Sequence, residues 1–368
     1  MINPFPGDSD LYMKDLKSAI HALVFLLTAG SLQAWELDHA VGSNFAYYVD
    51  DNRGGAPGSS WFQLPSYVPK EPGQSDAWND GPYGSWTTGD PETRNLGSGW
   101  GSVELEAFYR FRAKTPFLAG SGALTENNNI TIIVKPIISP ATLHVETEVH
   151  WTPVAFLKIL AGAAGGTGWP LSFLGAEGLA LNTSDDITDT ERGGWVGLYF
   201  FGGTFQFDLA ALLPGEWNHI VVSATGKARY IHNSKAGKGE SWYWRADGGR
   251  NFNSWEYKGE YVLGWRPPWK VNFIGLVAEH RFVLSPDIRN MSTIDSGGWG
   301  SDYTFWRFGP ALNVDLNNGH GLTILLQFRN GFYITEETAY ARWFQRWKAT
   351  GESYIKLDRL ALAYSWKL

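Results

Sequence analysis

Along most of the chain, apolar and polar residues alternate with a period of two, the signature of a strand with one face in an apolar setting and the other in a polar one. In Ser102–Ala113, Val103, Leu105, Ala107, Tyr109 and Phe111 oppose Glu104, Glu106, Arg110 and Arg112. In Ala141–Trp151, Leu143, Val145, Val149 and Trp151 oppose His144, Glu146, Glu148 and His150. The same split recurs in Asn218–Tyr230, Ser254–Arg266, Thr304–Leu316 and Leu322–Ile334, and in the final segment, where Leu360, Leu362, Tyr364 and Trp366 oppose Arg359, Ser365 and Lys367. Weaker alternation near 36–49, 129–138, 154–163, 194–209 and 269–284 brings the expected total to about twelve strands, with ten to fourteen as the range. Pro136 weakens the 129–138 segment. Strands of about 11 residues exceed the ~5–6 of globular sheets and match the ~9–11 needed by a tilted membrane strand.

The links between these segments alternate in length from residue 164 onward. Stretches 164–193, 231–252, 285–301 and 335–351 are long, whereas Leu213-Pro214-Gly215-Glu216, Pro267-Pro268 and Asn317-Asn318-Gly319 are short. In the first half, 50–100 is long on the same side, 114–128 is a longer link on the short-turn side, and Ile138–Ala141 is a tight turn on the long-loop side. Short turns on one rim and long loops on the other are the pattern of an up-and-down antiparallel β-barrel that crosses a membrane. Trp151, Trp217, Trp265 and Trp269 fall near the short links and Trp195, Trp255 and Trp299 near the long ones, which predicts two aromatic girdles.

Composition narrows the class further. The 368 residues include 43 Gly, 19 Trp, 16 Tyr and 21 Phe, no Cys, and a net charge of −7. The 43% of hydrophobic residues excludes a disordered chain, and the lack of Cys excludes disulfide scaffolds and Cys-ligated metal centres. An acidic balance without a basic stripe excludes nucleic acid as the partner. Residues 1–34 read as a secretory leader: Lys14 and Lys17 precede the apolar stretch Ala19–Ala29 and the polar exit 30–34. The twelve residues before Met13 read as an upstream choice of start. Residues 35–368 are then the barrel.

The leader, the alternating strands and the amphipathic last strand Tyr354–Leu368 together resemble bacterial outer-membrane β-barrel proteins of the porin-like kind. The hairpin from Trp151-Thr152-Pro153 through Gly166-Thr167-Gly168-Trp169 is similar to one in uncharacterised outer-membrane proteins, including spirochaete ones. The resemblance implies a bacterial outer-membrane location and contact with outer-membrane lipid. It also implies recognition of the last strand by the outer-membrane assembly machinery. Such barrels usually finish on an aromatic residue; here Leu368 is last, in the outward phase, with Trp366 two positions earlier.

With apolar faces outward, the charges meet inside. Glu104, Arg110, Arg112, Glu146, Glu148, Arg229, Glu256, Lys258, Arg307 and Arg329 are the expected lumen and selectivity lining. Opposed acidic and basic groups around water would set a transverse field and select small polar solutes. A lumen closed by mutual ion pairs is the structural alternative; an outer-membrane enzyme or adhesin, and a secreted lectin-like β-sandwich, are the others.

His144-x-Glu146-x-Glu148-x-His150 puts four polar side chains on one strand face about 6.8 Å apart. That is loose for one metal, so His144 and His150 are weak metal candidates only. No cofactor motif is present. His219 and Ser223 lie too far apart on one strand for direct hydrogen bonding, and no Gly-x-Ser-x-Gly elbow occurs, so no catalytic residues are assigned. The Gly-Trp units at 99–101, 168–169, 194–195 and 298–300 read as interface anchors at loop ends. The 50–100 loop either plugs the lumen or displays a binding surface.

Overall fold

The computed structural model describes residues 35–48, 103–171, 176–181, 194–237, 242–244, 251–291, 302–335 and 348–368, with short strands between 63 and 93. The leader 1–34 lies outside the described residues, as does most of the 50–100 loop.

Twelve strands run antiparallel in one closed barrel: β1 (Glu36–Tyr48), β2 (Val103–Pro116), β3 (Asn129–Ile138), β4 (Thr142–Val154), β5 (Leu157–Gly168) and β6 (Val196–Asp208) make the first half. The second half is β7 (Ile220–Asn233), β8 (Ser254–Trp265), β9 (Val271–Val283), β10 (Phe305–Asn317), β11 (His320–Thr335) and β12 (Lys348–Lys367). Each strand pairs with its sequence neighbours, and β1 closes the ring on β12, Ala40 opposite Lys367 through Tyr48 opposite Arg359. Closure leaves no strand edge unpaired, which removes the need for any other device to protect edges. The segment 129–138 is a full strand despite Pro136.

One rim carries the links 117–128, 155–156, 209–219, 266–270 and 318–319, and both ends of the described barrel, where Leu368 N donates to His39 O. The other carries 139–141 and the long connections. The β10–β11 turn is compact because Asn318 and Gly319 both take positive φ, 51° and 80°, which matches the twist of the flanking strands. Ser139 holds the 139–141 turn by accepting from Thr142 N at 2.9 Å on its Oγ.

The outer wall is apolar. Tyr199, Phe201, Leu263, Ile274 and Leu276 all project outward and are exposed, Phe201 by 60% and Leu276 by 57%. Near the short-turn rim Trp217, Trp265 and Trp269 pack together with ring centroids 5.4–6.0 Å apart. Near the long-loop rim Phe201, Tyr230 and Trp255 form a second aromatic group. Among the described residues no helix is long and apolar enough to cross a membrane.

Abundant Gly and abundant aromatics are linked in the inner wall. Phe108 lies directly across from Gly42, and Phe200 from Gly162, each ring flat over the glycine so that a Cβ there would collide with it. The aromatic ring supplies the packing that the glycine lacks.

Candidate functional site

The lumen contains a cavity of about 480 Å³ built from side chains of most of the strands. Period-two alternation brings the charged positions of β7–β12 inward in register, and their ion pairs run from strand to strand. Arg229 on β7 pairs with Glu256 on β8, and Arg281 on β9 reaches the same carboxylate at 3.8 Å. Lys227 and Lys258 share Glu260 at 3.4 and 2.8 Å, and Lys258 also reaches Glu279 at 3.3 Å. Arg307 on β10 donates to Glu279 at 2.8 Å and to Asp358 on β12 at 2.7 Å; Arg329 on β11 reaches Asp358 at 3.2 Å.

Direct cross-strand partners here often carry like charge: Lys227 opposite Lys258, Glu260 opposite Glu279, Arg307 opposite Arg329. Like charges directly opposite are destabilising. A nearby group of opposite charge relieves each case, Glu260 for the two lysines, Lys258 for the two glutamates and Asp358 for the two arginines.

Asp358 holds two arginines although strict alternation would send it outward. Gln327 pairs with Arg359 and the next residue, Phe328, with Leu357, so Asp358 is the extra residue of a β-bulge. Both Asp358 and Arg359 therefore reach the inside, and Asp358 is only 2% exposed. Sequence reasoning missed it because a bulge shifts the phase by one without any change in composition.

The opposite wall is acidic. Glu146 and Glu148 on β4 line the same cavity, six strands away from Arg307 round the ring. Glu146 lies 3.5 Å from Lys135 and Glu148 2.7 Å from His150. His144 is buried against Trp244, with ring centroids 5.1 Å apart, and its Nε2 is 3.6 Å from Glu146. The four residues of the His-x-Glu-x-Glu-x-His stretch thus share one face as expected; Glu148 pairs with His150 within the strand, while Glu146 also reaches Lys135 on β3. Among the described residues no group of three or more His, Asp or Glu side chains is placed to hold a metal ion.

Of the expected lining residues, Glu104, Glu146, Glu148, Arg229, Lys258, Arg307 and Arg329 meet at the cavity. Glu256 lies beneath Arg229 and Arg281, 5% exposed. Arg110 and Arg112 sit apart, nearer the short-turn rim, 3.5 and 3.6 Å from Asp38.

Three inward phenylalanines break the binary pattern, each beneath a cation. Lys135 lies 5.0 Å from the Phe108 ring centre, Lys227 5.1 Å from Phe200 and Arg307 5.2 Å from Phe305. A cation over a ring face gains roughly 0.5–2 kcal/mol depending on desolvation.

Toward the long-loop rim, a two-stranded ribbon lies against the lumen wall, Leu179–Leu181 paired with Trp242–Trp244. It comes from two long connections and folds onto the inner wall, where Leu179, Trp242 and Trp244 bury themselves against Val196 and Ile231. Asn253 fixes it by accepting from Trp242 Nε1 at 3.1 Å and Asn233 N at 2.7 Å, and by donating to Asn233 O at 3.0 Å. Trp244 thereby forms part of the cavity wall.

No protein-family model and no curated protein matches this chain. Among solved structures, it is similar to the outer membrane channel DcaP of Acinetobacter baumannii (8% identity, 91% of this chain and 97% of that one, TM-score 0.30). It is also similar to an outer membrane channel from Pseudomonas putida F1 (9%, 91% and 97%, TM-score 0.37) and to LpxR from Salmonella typhimurium (9%, 89% and 99%, TM-score 0.34).

Proposed function

We propose that the protein is a bacterial outer-membrane channel that passes small polar solutes through its lumen. The observation that carries this reading is the cavity with Arg307 and Arg329 on one wall and Glu146 and Glu148 on the other. Opposed rows of fixed charge orient a polar solute across the passage and disfavour an apolar one, while cation and anion both find a partner wall. The outward band of Tyr199, Phe201, Leu263 and Leu276 supports a hydrocarbon surrounding, because an apolar surface that runs round a whole barrel is unsuited to water. Short turns and both ends of the described barrel share one rim, which is then the periplasmic one. The expected partners are outer-membrane lipid, small solutes and the assembly machinery that reads the last strand.

Purified protein refolded into planar bilayers should conduct, and neutralising Arg307 or Glu146 should move ion selectivity in opposite directions. The ribbon against the lumen wall favours a second reading, a closed structural barrel. Properly folded protein that carries no current would decide for that reading, and release from cells without detergent would overturn the membrane assignment.

A further inference from the structure

Arg359 differs from the other lysines and arginines that line the cavity. Each of those holds a carboxylate within ion-pair distance, whereas among the described residues Arg359 has none. Its partners are neutral: Nε donates to Gln327 Oε1 at 2.8 Å and Nη1 to Tyr48 Oη at 3.0 Å, with the guanidinium over the Tyr48 ring. Tyr48 in turn donates to Glu104 Oε2 at 2.7 Å, so the phenol both accepts from the arginine and is itself oriented. These bonds fix the guanidinium plane through two of its nitrogens, and the residue lines the cavity.

Position strengthens the case. Arg359 and Glu104 line both the main cavity and a second one of about 230 Å³, walled by small side chains such as Ala46, Ala361 and Ala363. They therefore stand where the two spaces adjoin. A guanidinium held by neutral partners has no carboxylate within ion-pair distance to compete with an incoming anion, Glu279 acting on it only from farther away, and its remaining N–H donors suit a carboxylate or similar oxyanion.

We infer that Arg359 is an anion-binding point at this junction, and that the lumen takes small organic monoanions bearing a carboxylate. The inference rests on the channel reading. The test is the reversal potential of single channels in a potassium chloride gradient and then in a potassium acetate gradient, for the unaltered protein, Arg359→Gln and Arg359→Lys, each checked for folding by heat-dependent gel migration. The expected result is a preference for acetate and chloride over potassium that falls severalfold in Arg359→Gln and is largely kept in Arg359→Lys. Tyr48→Phe, which leaves every charge in place, should weaken acetate preference more than chloride preference by freeing the guanidinium plane. Current with unaltered selectivity in Arg359→Gln overturns the inference alone. An absence of current from the folded, unaltered protein overturns the channel reading and the inference with it.

Discussion

Arg307 on β10 and Asp358 on β12 bond at 2.7 Å across the intervening strand. The bond exists because the bulge in β12 adds one residue against Gln327 and Phe328, turning Asp358 to the inside. The same carboxylate reaches Arg329, so one side chain holds together two arginines that face each other directly in the ladder.

Asp358→Asn should therefore destabilise the barrel by more than a lining residue of that size ordinarily would. It leaves two largely buried guanidiniums opposed, and breaking a buried ion pair costs about 3 kcal/mol or more. Urea unfolding in phospholipid vesicles measures this. An unchanged midpoint would mean that the arginines relax onto other partners and that Asp358 is not their common counter-ion.

The ribbon carrying Trp244 should obstruct the lumen without supporting the barrel. It packs on Val196 and Ile231 and, through Trp244, on His144, and its two strands pair with each other outside the twelve-strand ladder. Trp244→Ala should raise single-channel conductance while the unfolding midpoint stays close to that of the unaltered protein. Conductance that does not rise would place the narrowest part of the passage elsewhere.

Face assignment can be checked with two arginines. Phe201 points outward and is 60% exposed, whereas Thr225 points inward, its hydroxyl 2.8 Å from that of Thr204. Phe201→Arg puts a charge on the lipid side, which costs about 2–4 kcal/mol at the bilayer midplane and less toward the rims. Thr225→Arg, facing water, should cost distinctly less. Comparable losses in urea unfolding from vesicles would contradict the orientation of β6 and β7.

All twelve strands were legible from alternation, including the weaker ones such as 36–49 and 269–284, because one face of each must be apolar and the other need not be. The inward placement of Glu104, Glu146, Arg229, Lys258 and Arg307 follows from the same period. What alternation could not reveal was any departure from it. Phe108, Phe200 and Phe305 face the lumen beneath a cation each, and at Phe108 and Phe200 the glycine across the ladder gives the ring room; at those two positions the cation and the glycine come from other strands, whereas Arg307 lies two positions along the same strand as Phe305.

The sequence by itself determined that the chain forms about twelve strands, which face of each is polar and which rim carries most of the short turns, because these depend on residues close together along the chain. The closed barrel fixed the count at twelve. Only the tertiary structure decided which charges meet, that Asp358 joins them, that Arg359 hydrogen-bonds neutral partners, and that the ribbon of Trp242 and Trp244 packs on the lumen wall. Those outcomes depend on register between strands, on a single inserted residue, and on loops folding back into the barrel. Each brings together residues tens or hundreds of positions apart, so no local pattern records them.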